Sequence, residues 1–328
     1  MEKVRWGIMG CGNISTTVAK AMSQLEEVSI CAVAATDLNR AKQFATQFDV
    51  AKAYGTYEEL VKDPEIEVIY IGTIHPAHYD CMKLCVQNGK HILCEKPFTL
   101  NKEEAEEIFE LARQQGVFVM EAMWTKFLPS TIAIKDMIDG GRIGSFQYMR
   151  IVFGYACERS MSSRMFNPEL GGGALLDVGI YPLTYAMLMA GSKLKSVESK
   201  ACIGTTGIDE VNSMLLSFEN GTIADCASAV SVNLGDVAVL YGTQGKIVIP
   251  SFFCAQKASL YDTNDALIEE IERPFLVNGY EYEIIEVNRC IREHKSMSQT
   301  HTWDMTLAMM ELLDSMRKEW SLTYPGGK

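Results

Sequence analysis

The stretch that decides the fold of this chain is GKHILCEKP, residues 89–97. Its first glycine suits the end of a helix, and the apolar run at residues 91–94 suits a buried strand of a parallel sheet. Glu95 and Lys96 follow directly, at the carboxyl end of that strand, where open α/β sheets bind ligands. Pro97 favours an extended backbone at Lys96 and permits a cis peptide bond. The Glu-Lys pair is therefore either part of a ligand site or an exposed ion pair.

Outward from this stretch, strands and helices alternate through the first 123 residues. The first predicted strand, residues 4–9, runs into the turn Gly10-Cys11-Gly12 and then an amphipathic helix, the order that cradles a pyrophosphate. Such alternation predicts a doubly wound parallel sheet of the Rossmann type. The carboxyl ends of parallel strands share one edge, which favours the functional interpretation of Lys96. The further strands are predicted at residues 28–35, 68–71, 91–94 and 118–120.

The glycine turn and the second strand end bear on the cofactor. Gly10 permits the tight turn and Gly12 lets the backbone approach phosphates, whereas Ser15 stands at the third glycine position of the motif. Asp37 either holds the ribose hydroxyls of NAD or caps the next helix. Arg40 suits the 2′-phosphate of NADP. We expect NADP or NAD, with NADP preferred.

Other candidate cofactor residues lie in the loops that follow the strands. His75 and His78 belong to one such loop and either cap it or contact a ligand. No cysteine or carboxylate set completes a metal site around them, so we predict none. The candidate cofactor-binding residues are Gly10, Gly12, Asn13, Ile14, Thr36, Asp37, Arg40, Thr73, His75, His78, Glu95, Lys96, Pro97, Glu121 and Trp124.

Near residue 124 the pattern changes from alternating elements to mostly strands. Asn220-Gly221 between two of them is a strong hairpin signal, and consecutive strands with tight turns predict a mostly antiparallel sheet. We therefore divide the chain into a dinucleotide-binding domain, residues 1–123, and an α+β substrate domain, residues 124–328. The open face of such a sheet favours a homodimer or higher homo-oligomer.

The sequence GGGALLDVGIYP, residues 171–182, is a second candidate site. Its glycines permit close backbone approach, and a helix is predicted to follow. Asp177 and Tyr181 are four residues apart and share one face of that helix. They either point into a cleft or serve the core, with Asp177 bonded to backbone and Tyr181 packed.

Composition limits the partners and the compartment. The formal net charge of −12 argues against nucleic acid, and there is no apolar run of about 18 residues, as a membrane-spanning helix requires. The start of the chain lacks the apolar segment of a signal peptide. Ten scattered cysteines without a CxxC motif predict reduced thiols in the cytoplasm.

Three ordered motifs together resemble the glucose–fructose oxidoreductase/inositol dehydrogenase (Gfo/Idh/MocA) family. They are the Gly10-x-Gly12 turn, Glu95-Lys96-Pro97, and the segment from Gly172 to Tyr181. Finer features, such as MEAMWT at residues 120–125 and tyrosine rather than histidine at position 181, are similar to the dimeric dihydrodiol dehydrogenase branch, which includes NADP-dependent xylose dehydrogenases. One departure is Thr36, where NADP-dependent relatives often carry arginine.

The resemblance implies an NAD(P)-dependent oxidoreductase that acts on a sugar, polyol or cyclic diol. It implies Lys96 and Tyr181 as the catalytic pair, with Asp177 beside them. Trp124 and Phe127, together with these three, would contact the substrate, and the segment 156–170, with its arginines, would line the cleft. Two alternatives stay open. One is an NAD-dependent inositol or amino-sugar dehydrogenase of the same family, and the other is a non-catalytic NAD(P)-binding sensor.

Overall fold

The computed structural model describes residues 2–325, which form two compact units. The first comprises residues 2–124 with 276–311, and the second comprises residues 125–275 with 312–325. The segment 276–311 follows the second unit in sequence but packs with the first. The Trp6 indole, for example, donates to Asn288 Oδ1 at 3.0 Å. The division into domains at residue 123 stays a prediction.

Strands and helices occupy most of both units. The strands are β1 Val4–Met9, β2 Val28–Ala34, β3 Lys52–Tyr54, β4 Val68–Ile71, β5 His91–Glu95, β6 Val119–Ala122, β7 Phe146–Gly154, β8 Leu194–Ile203, β9 Asp209–Phe218, β10 Ile223–Ala229, β11 Gly235–Gly242, β12 Gly245–Pro250, β13 Lys257–Tyr261 and β14 Leu267–Glu272. The helices are α1 Asn13–Met22, α2 Leu38–Gln47, α3 Tyr57–Lys62, α4 His78–Gln87, α5 Lys102–Gln115, α6 Pro129–Asp139, α7 Ile180–Ala190, α8 Glu281–Arg292 and α9 Trp303–Glu319.

The first unit is built on a six-stranded sheet in the order β3-β2-β1-β4-β5-β6. Every strand pair in it is parallel, which confirms the predicted doubly wound fold. The central strands β4 and β5 are apolar and buried because helices cover both faces of such a sheet. The carboxyl ends of all six strands consequently lie along one edge.

The second unit is built on an eight-stranded sheet in the order β14-β13-β12-β11-β7-β10-β9-β8. It is antiparallel except where β10 runs parallel to β7, which confirms the predicted mostly antiparallel sheet. The predicted Asn220-Gly221 turn joins β9 to β10, with Gly221 at φ +88°. The hairpin β13–β14 was not predicted, because the sequence of β14, LIEEIE, does not alternate between apolar and polar residues and the strand is almost wholly exposed.

One face of this second sheet packs against the most apolar helical segment of the chain. A π-helical turn, Leu175–Gly179, leads into α7, so the helix predicted after the glycines begins with a widened turn. Among the described residues, Pro168–Ala190 is long and apolar enough to cross a membrane by length and composition, with a mean hydropathy of 1.3 over its best window. That window is 89% buried within the protein, as expected of a core helix.

Candidate active site

The glycine turn after β1 has the geometry of a phosphate cradle. Gly10 has φ +92°, and a Cβ there would lie 2.9 Å from the carbonyl oxygen of Gly72. Gly12 is the N-cap of α1 and makes no side-chain capping bond, so the first N–H groups of this helix remain available for an anion. Ser15 is fully buried beside Gly72, which explains why only a small residue fits the third motif position.

The end of β2 places one acid and one cation near this turn. Asp37 Oδ1 accepts hydrogen bonds from the backbone N–H groups of Asn39 at 2.7 Å and Arg40 at 3.4 Å. Asp37 therefore caps α2, one of the two roles that the sequence left open. The Arg40 guanidinium is exposed and donates to the Cys11 carbonyl at 3.4 Å, so its charge lies at the rim of the glycine turn. Thr36 is exposed next to them.

The end of β5 carries a buried carboxyl group. Glu95 is 7% exposed, and its Oε1 accepts a hydrogen bond from the Tyr70 hydroxyl at 2.8 Å. Burial raises the pKa of Glu95 to about 7, against the opposing effect of the Lys96 charge. Lys96 is half-buried on the loop that follows, and its peptide bond to Pro97 is cis. Glu95 is thus no surface ion pair with its neighbour.

His78 ties two of the strand-end loops together. Its Nδ1 lies 2.9 Å from the Pro97 carbonyl oxygen and its Nε2 lies 3.2 Å from that of Thr73. The ring is fully buried, and burial lowers its pKa. Both ring nitrogens therefore face backbone, which is the loop-capping role. His75 is also buried and meets His78 edge to face, with ring centroids 5.8 Å apart.

Glu121, at the end of β6, braces the loop that carries Lys96. Its Oε1 accepts from the Phe98 N–H at 3.1 Å, and its Oε2 accepts from His301 Nε2 at 3.0 Å and Thr306 Oγ1 at 2.9 Å. Any effect of Glu121 on a cofactor would therefore act through this loop. Trp124 stacks on Tyr280, with ring centroids 4.2 Å apart and planes 5° from parallel.

Glu283 on α8 is a buried acid of the first unit that the sequence analysis did not select. It is fully buried, and neither carboxyl oxygen has a hydrogen-bond partner among the described residues. Burial, followed by the charge of Glu95, raises its pKa well above the usual range. Glu283 lies next to Ile284 and four residues before Val287, both on the buried face of α8, and this spacing was the sequence signal for its burial.

In the second unit, Asp177 is held by two donors from one neighbouring segment. Arg164 Nη2 donates to Asp177 Oδ1 at 2.7 Å, and the Tyr155 hydroxyl donates to Oδ2 at 2.9 Å. Asp177 is 7% exposed. Burial, and after it the Asp177 charge, raise the pKa of Tyr155. Arg164 thus contacts Asp177, and the lining of a substrate cleft by its segment stays a prediction. Tyr155 was not among the residues predicted from the sequence.

Tyr181 is surrounded by aromatic rings. Its centroid lies 5.8 Å from Phe153 and 5.6 Å from Phe253, and these two rings stack at 4.3 Å. Phe127 is also buried in this unit. Phe153 and Phe253 were not predicted from the sequence, because they come from distant strands and loops. Within residues 2–325, no group of three His, Cys, Asp or Glu side chains is placed to hold a metal ion.

Comparison with family models covers most of the chain. Residues 4–123 match the model described as an oxidoreductase family with an NAD-binding Rossmann fold, and residues 131–248 match the GFO/IDH/MocA C-terminal domain. Among curated proteins, the trans-1,2-dihydrobenzene-1,2-diol dehydrogenase of Xenopus tropicalis is 35% identical over 98% of this chain and 99% of its own length. The mouse protein of the same name is 34% identical, with 99% of each chain covered.

Solved structures share the fold at lower identity. KijD10, a 3-ketoreductase from Actinomadura kijaniata solved with NADP and TDP-benzene, superimposes with a TM-score of 0.89 at 22% identity, covering 97% of this chain and 98% of its own. Aldose-aldose oxidoreductase from Caulobacter crescentus, solved with glycerol, gives 0.87 at 20% identity, with 97% of each chain covered.

Proposed function

Because this chain belongs to the Gfo/Idh/MocA oxidoreductase family, we propose that it is an NAD(P)-dependent dehydrogenase of cyclic diols or sugars. Such an enzyme interconverts a CH–OH group and a carbonyl. The observation that carries the substrate class is the aromatic surface around Tyr181, formed by Phe153 and Phe253. The names of the curated relatives, which are diol dehydrogenases at 34–35% identity, support the same choice.

The first unit supplies the proposed cofactor site. The open amino end of α1 and the turn at Gly10 fit a pyrophosphate, with Gly12, Asn13 and Ile14 around it. Arg40 at the rim of this turn favours NADP, since a guanidinium suits the 2′-phosphate. The remaining proposed contacts come from the other strand ends, namely Thr36, Asp37, Thr73, His75, Glu95, Lys96, Pro97 and Trp124. His78 and Glu121 are proposed to act on the cofactor through the loops that they hold.

A nicotinamide cofactor held at this site would supply the hydride acceptor for oxidation of the alcohol carbon, or the hydride donor for reduction of the carbonyl. Tyr181 takes the hydroxyl proton as general base in oxidation and returns it in reduction. A free tyrosine has a pKa of about 10, so a nearby cation must stabilise its phenolate. Lys96 is proposed for this task and for stabilising the alkoxide charge that develops.

Asp177 is proposed to orient the reacting groups rather than to carry a proton. Its two oxygens already accept hydrogen bonds from Arg164 and Tyr155, which favours a fixed, ionised carboxylate. A carboxylate held in this way can present a lone pair to a substrate hydroxyl without competing with Tyr181 for the proton.

The proposed substrate is a ring rather than an open-chain polyol. The stacked rings Phe153 and Phe253 offer a flat apolar surface that a cyclohexadiene diol or the apolar face of a pyranose would cover. Phe127, which is buried in the same unit, stays a proposed substrate contact. An inositol or amino-sugar substrate with NAD is the alternative within the family. The sensor alternative is disfavoured by the presence of Lys96, Asp177 and Tyr181 together.

We also propose that the protein is a cytoplasmic homodimer or higher homo-oligomer that pairs through the open face of its eight-stranded sheet. Leu215, Ile223 and Tyr241 lie on one face by strand register and are 44%, 40% and 36% exposed. Apolar side chains grouped on a sheet face are commonly covered by a second copy. The cytoplasmic location is supported by the ten cysteines, all of them free thiols.

The proposal is tested by nicotinamide absorbance with purified protein, NAD or NADP, and a panel of trans-dihydrodiols, aldoses and inositols. Turnover with a cyclic diol or an aldose, faster with NADP than with NAD, is the expected result. Turnover with inositols and NAD alone would replace the proposal with the alternative. Tight cofactor binding without turnover of any member of the panel would favour the sensor.

A further inference from the structure

A buried acid lies directly beneath the helix that carries Asp177 and Tyr181. Asp209, at the start of β9, is fully buried. Its Oδ2 accepts a hydrogen bond from the backbone N–H of Leu175 at 2.7 Å and another from Asn212 Nδ2 at 2.8 Å. Leu175 is the first residue of the π-helical turn that leads into α7. Asp209 therefore caps this helical segment from a neighbouring strand. Its negative charge also interacts favourably with the positive end of the helix dipole.

The polar contact continues along the underside of the same turn. Asn212 Oδ1 accepts from the Ser228 hydroxyl at 2.8 Å, which links β9 to β10. Ser228 lies so close to Gly179 that a Cβ at this glycine would come within 2.8 Å of its Oγ. The turn is thus supported at its first residue and at its last by one hydrogen-bonded row.

The glycines before the helix make room for the same row. Gly173 has φ +117°, and a Cβ there would lie 2.4 Å from Asp209 Oδ1 and 2.8 Å from the Tyr324 hydroxyl oxygen. The Tyr324 hydroxyl donates to the Gly172 carbonyl at 2.6 Å. The Gly172-Gly173 pair therefore holds the backbone against Asp209 and Tyr324 rather than merely providing a flexible loop.

If stability were its only role, a buried carboxyl group would be an unfavourable way to cap this helix. A buried carboxyl group costs free energy unless all its lone pairs are satisfied, and Asp209 Oδ1 has no hydrogen-bond partner among the described residues. A helix whose only need is stability is capped as well by a serine or threonine of its own sequence. Instead, a strand residue fixes the start of the helix relative to the sheet.

We propose that Asp209 is a positioning residue, which sets the placement of Asp177 and Tyr181 by anchoring the first turn of their helix to the sheet. The inference rests on the proposed function of those two residues. It predicts that loss of the anchor lowers turnover while the cofactor half of the protein, in the other unit, keeps its affinity.

The test compares Asp209→Ala and Asp209→Asn with the same two changes at Asp262. Asp262 is the control because it too accepts two N–H hydrogen bonds, in its case from the backbone of Asn264 and Ala266, both at 2.8 Å, in the β13–β14 turn. Asp209→Ala is expected to lower kcat about 10- to 100-fold, as small misplacement of reacting groups does. Asp209→Asn keeps an oxygen that accepts from the Leu175 N–H, so this variant is expected to retain most of the wild-type kcat. Both Asp262 variants are expected to match the wild type.

Amide hydrogen exchange supplies a readout that does not depend on turnover. In Asp209→Ala, residues 175–181 are expected to exchange faster than in the wild type, while strands β4 and β5 of the first unit stay protected. If that variant does not fold, Tyr324→Phe, which removes the donor to Gly172, is expected to show the same local effect in weaker form. Unchanged kcat and unchanged exchange in these variants would overturn the proposal.

The dependence of kcat on pH distinguishes a positioning role of Asp209 from a purely structural one. Burial raises the pKa of Asp209 to about 7, and the groups that face it are Asn212, Tyr324 and, from α9, Arg317. Protonation weakens the carboxylate as an acceptor for the Leu175 N–H. Wild-type kcat is therefore expected to fall as the pH drops through about 7, but only to the level of Asp209→Asn, which has a neutral acceptor at every pH and is expected to lack this limb. An identical acid limb in both proteins would contradict the proposed role.

If the proposed catalytic function is wrong, the variants give a different pattern of turnover and exchange. If Tyr181→Phe retained wild-type turnover, the catalytic assignment would be wrong, but faster exchange at residues 175–181 in Asp209→Ala would still show the anchor. If Tyr181→Phe lost turnover while Asp209→Ala kept both its kcat and its exchange pattern, the positioning role alone would be wrong.

Discussion

The buried carboxyl group of Glu95 predicts how the stability of this protein depends on pH. Burial raises its pKa from 4.5 to about 7. Between these two values the folded protein holds a proton on Glu95 and the unfolded chain does not. The free energy of unfolding therefore falls as the pH rises through this interval. The stabilising contribution is complete below the lower value and is lost above the upper one.

The magnitude follows from the same two values. One unit of pKa difference corresponds to about 1.4 kcal/mol, so this rise corresponds to about 3 kcal/mol. Glu95→Gln removes the titrating group and keeps an oxygen that can accept the Tyr70 hydrogen bond. The variant is expected to lose less stability than the wild type between acid and neutral pH. The variant still contains Glu283 and Asp209, whose pKa values are also raised by burial, so part of the dependence of its stability on pH remains.

The assay is urea unfolding of both proteins at several pH values between about 4.5 and 8, the interval that linkage predicts. Glu58→Gln is the control, because Glu58 is an exposed glutamate of the same unit on α3. It is expected to keep the wild-type slope. If Glu95→Gln also kept that slope, the buried, proton-holding state of Glu95 would be refuted.

Further variants test the remaining assignments. Tyr181→Phe is expected to lower kcat about 10²- to 10⁴-fold in steady-state kinetics, since it removes the proton-transfer group, with cofactor affinity unchanged; unchanged turnover would exclude Tyr181. Arg40→Ala is expected to weaken NADP binding in fluorescence titration more than NAD binding, because only NADP has a 2′-phosphate; an equal effect on both would remove Arg40 from cofactor choice. Leu215→Asp is expected to reduce the mass measured by light scattering at a given concentration, and an unchanged mass would exclude this sheet face as the interface.

Local sequence signals predicted the parallel sheet and the ends of its strands well. The run at residues 91–94 is wholly apolar after its first residue because β5 is covered on both faces, so its length and its polar end could be read directly. Gly10 and Gly12 stand where the chain must turn tightly at the end of β1, a requirement that leaves a sequence motif. Asn220-Gly221 predicted its hairpin for the same reason, since few residues accept a positive φ.

Contacts between distant segments left no comparable signal. Asp209 meets Leu175 across 34 positions of sequence, and Phe253 reaches Tyr181 from another strand connection. A single sequence shows that such residues exist but not which partners they meet. Strand β14 was missed for another reason, because this exposed edge strand, LIEEIE, lacks the alternation by which strands are recognised.

Lys96 is proposed to take part in hydride transfer between a nicotinamide cofactor and a cyclic diol or sugar. The most direct test measures cofactor binding by fluorescence and turnover by absorbance, for the wild type and Lys96→Ala, with a trans-dihydrodiol and an aldose. We predict turnover by the wild type, and in the variant retained cofactor binding with turnover reduced by at least about 10²-fold, because the cation proposed to stabilise the reacting oxygen would be lost. Near-normal turnover in Lys96→Ala would contradict the account.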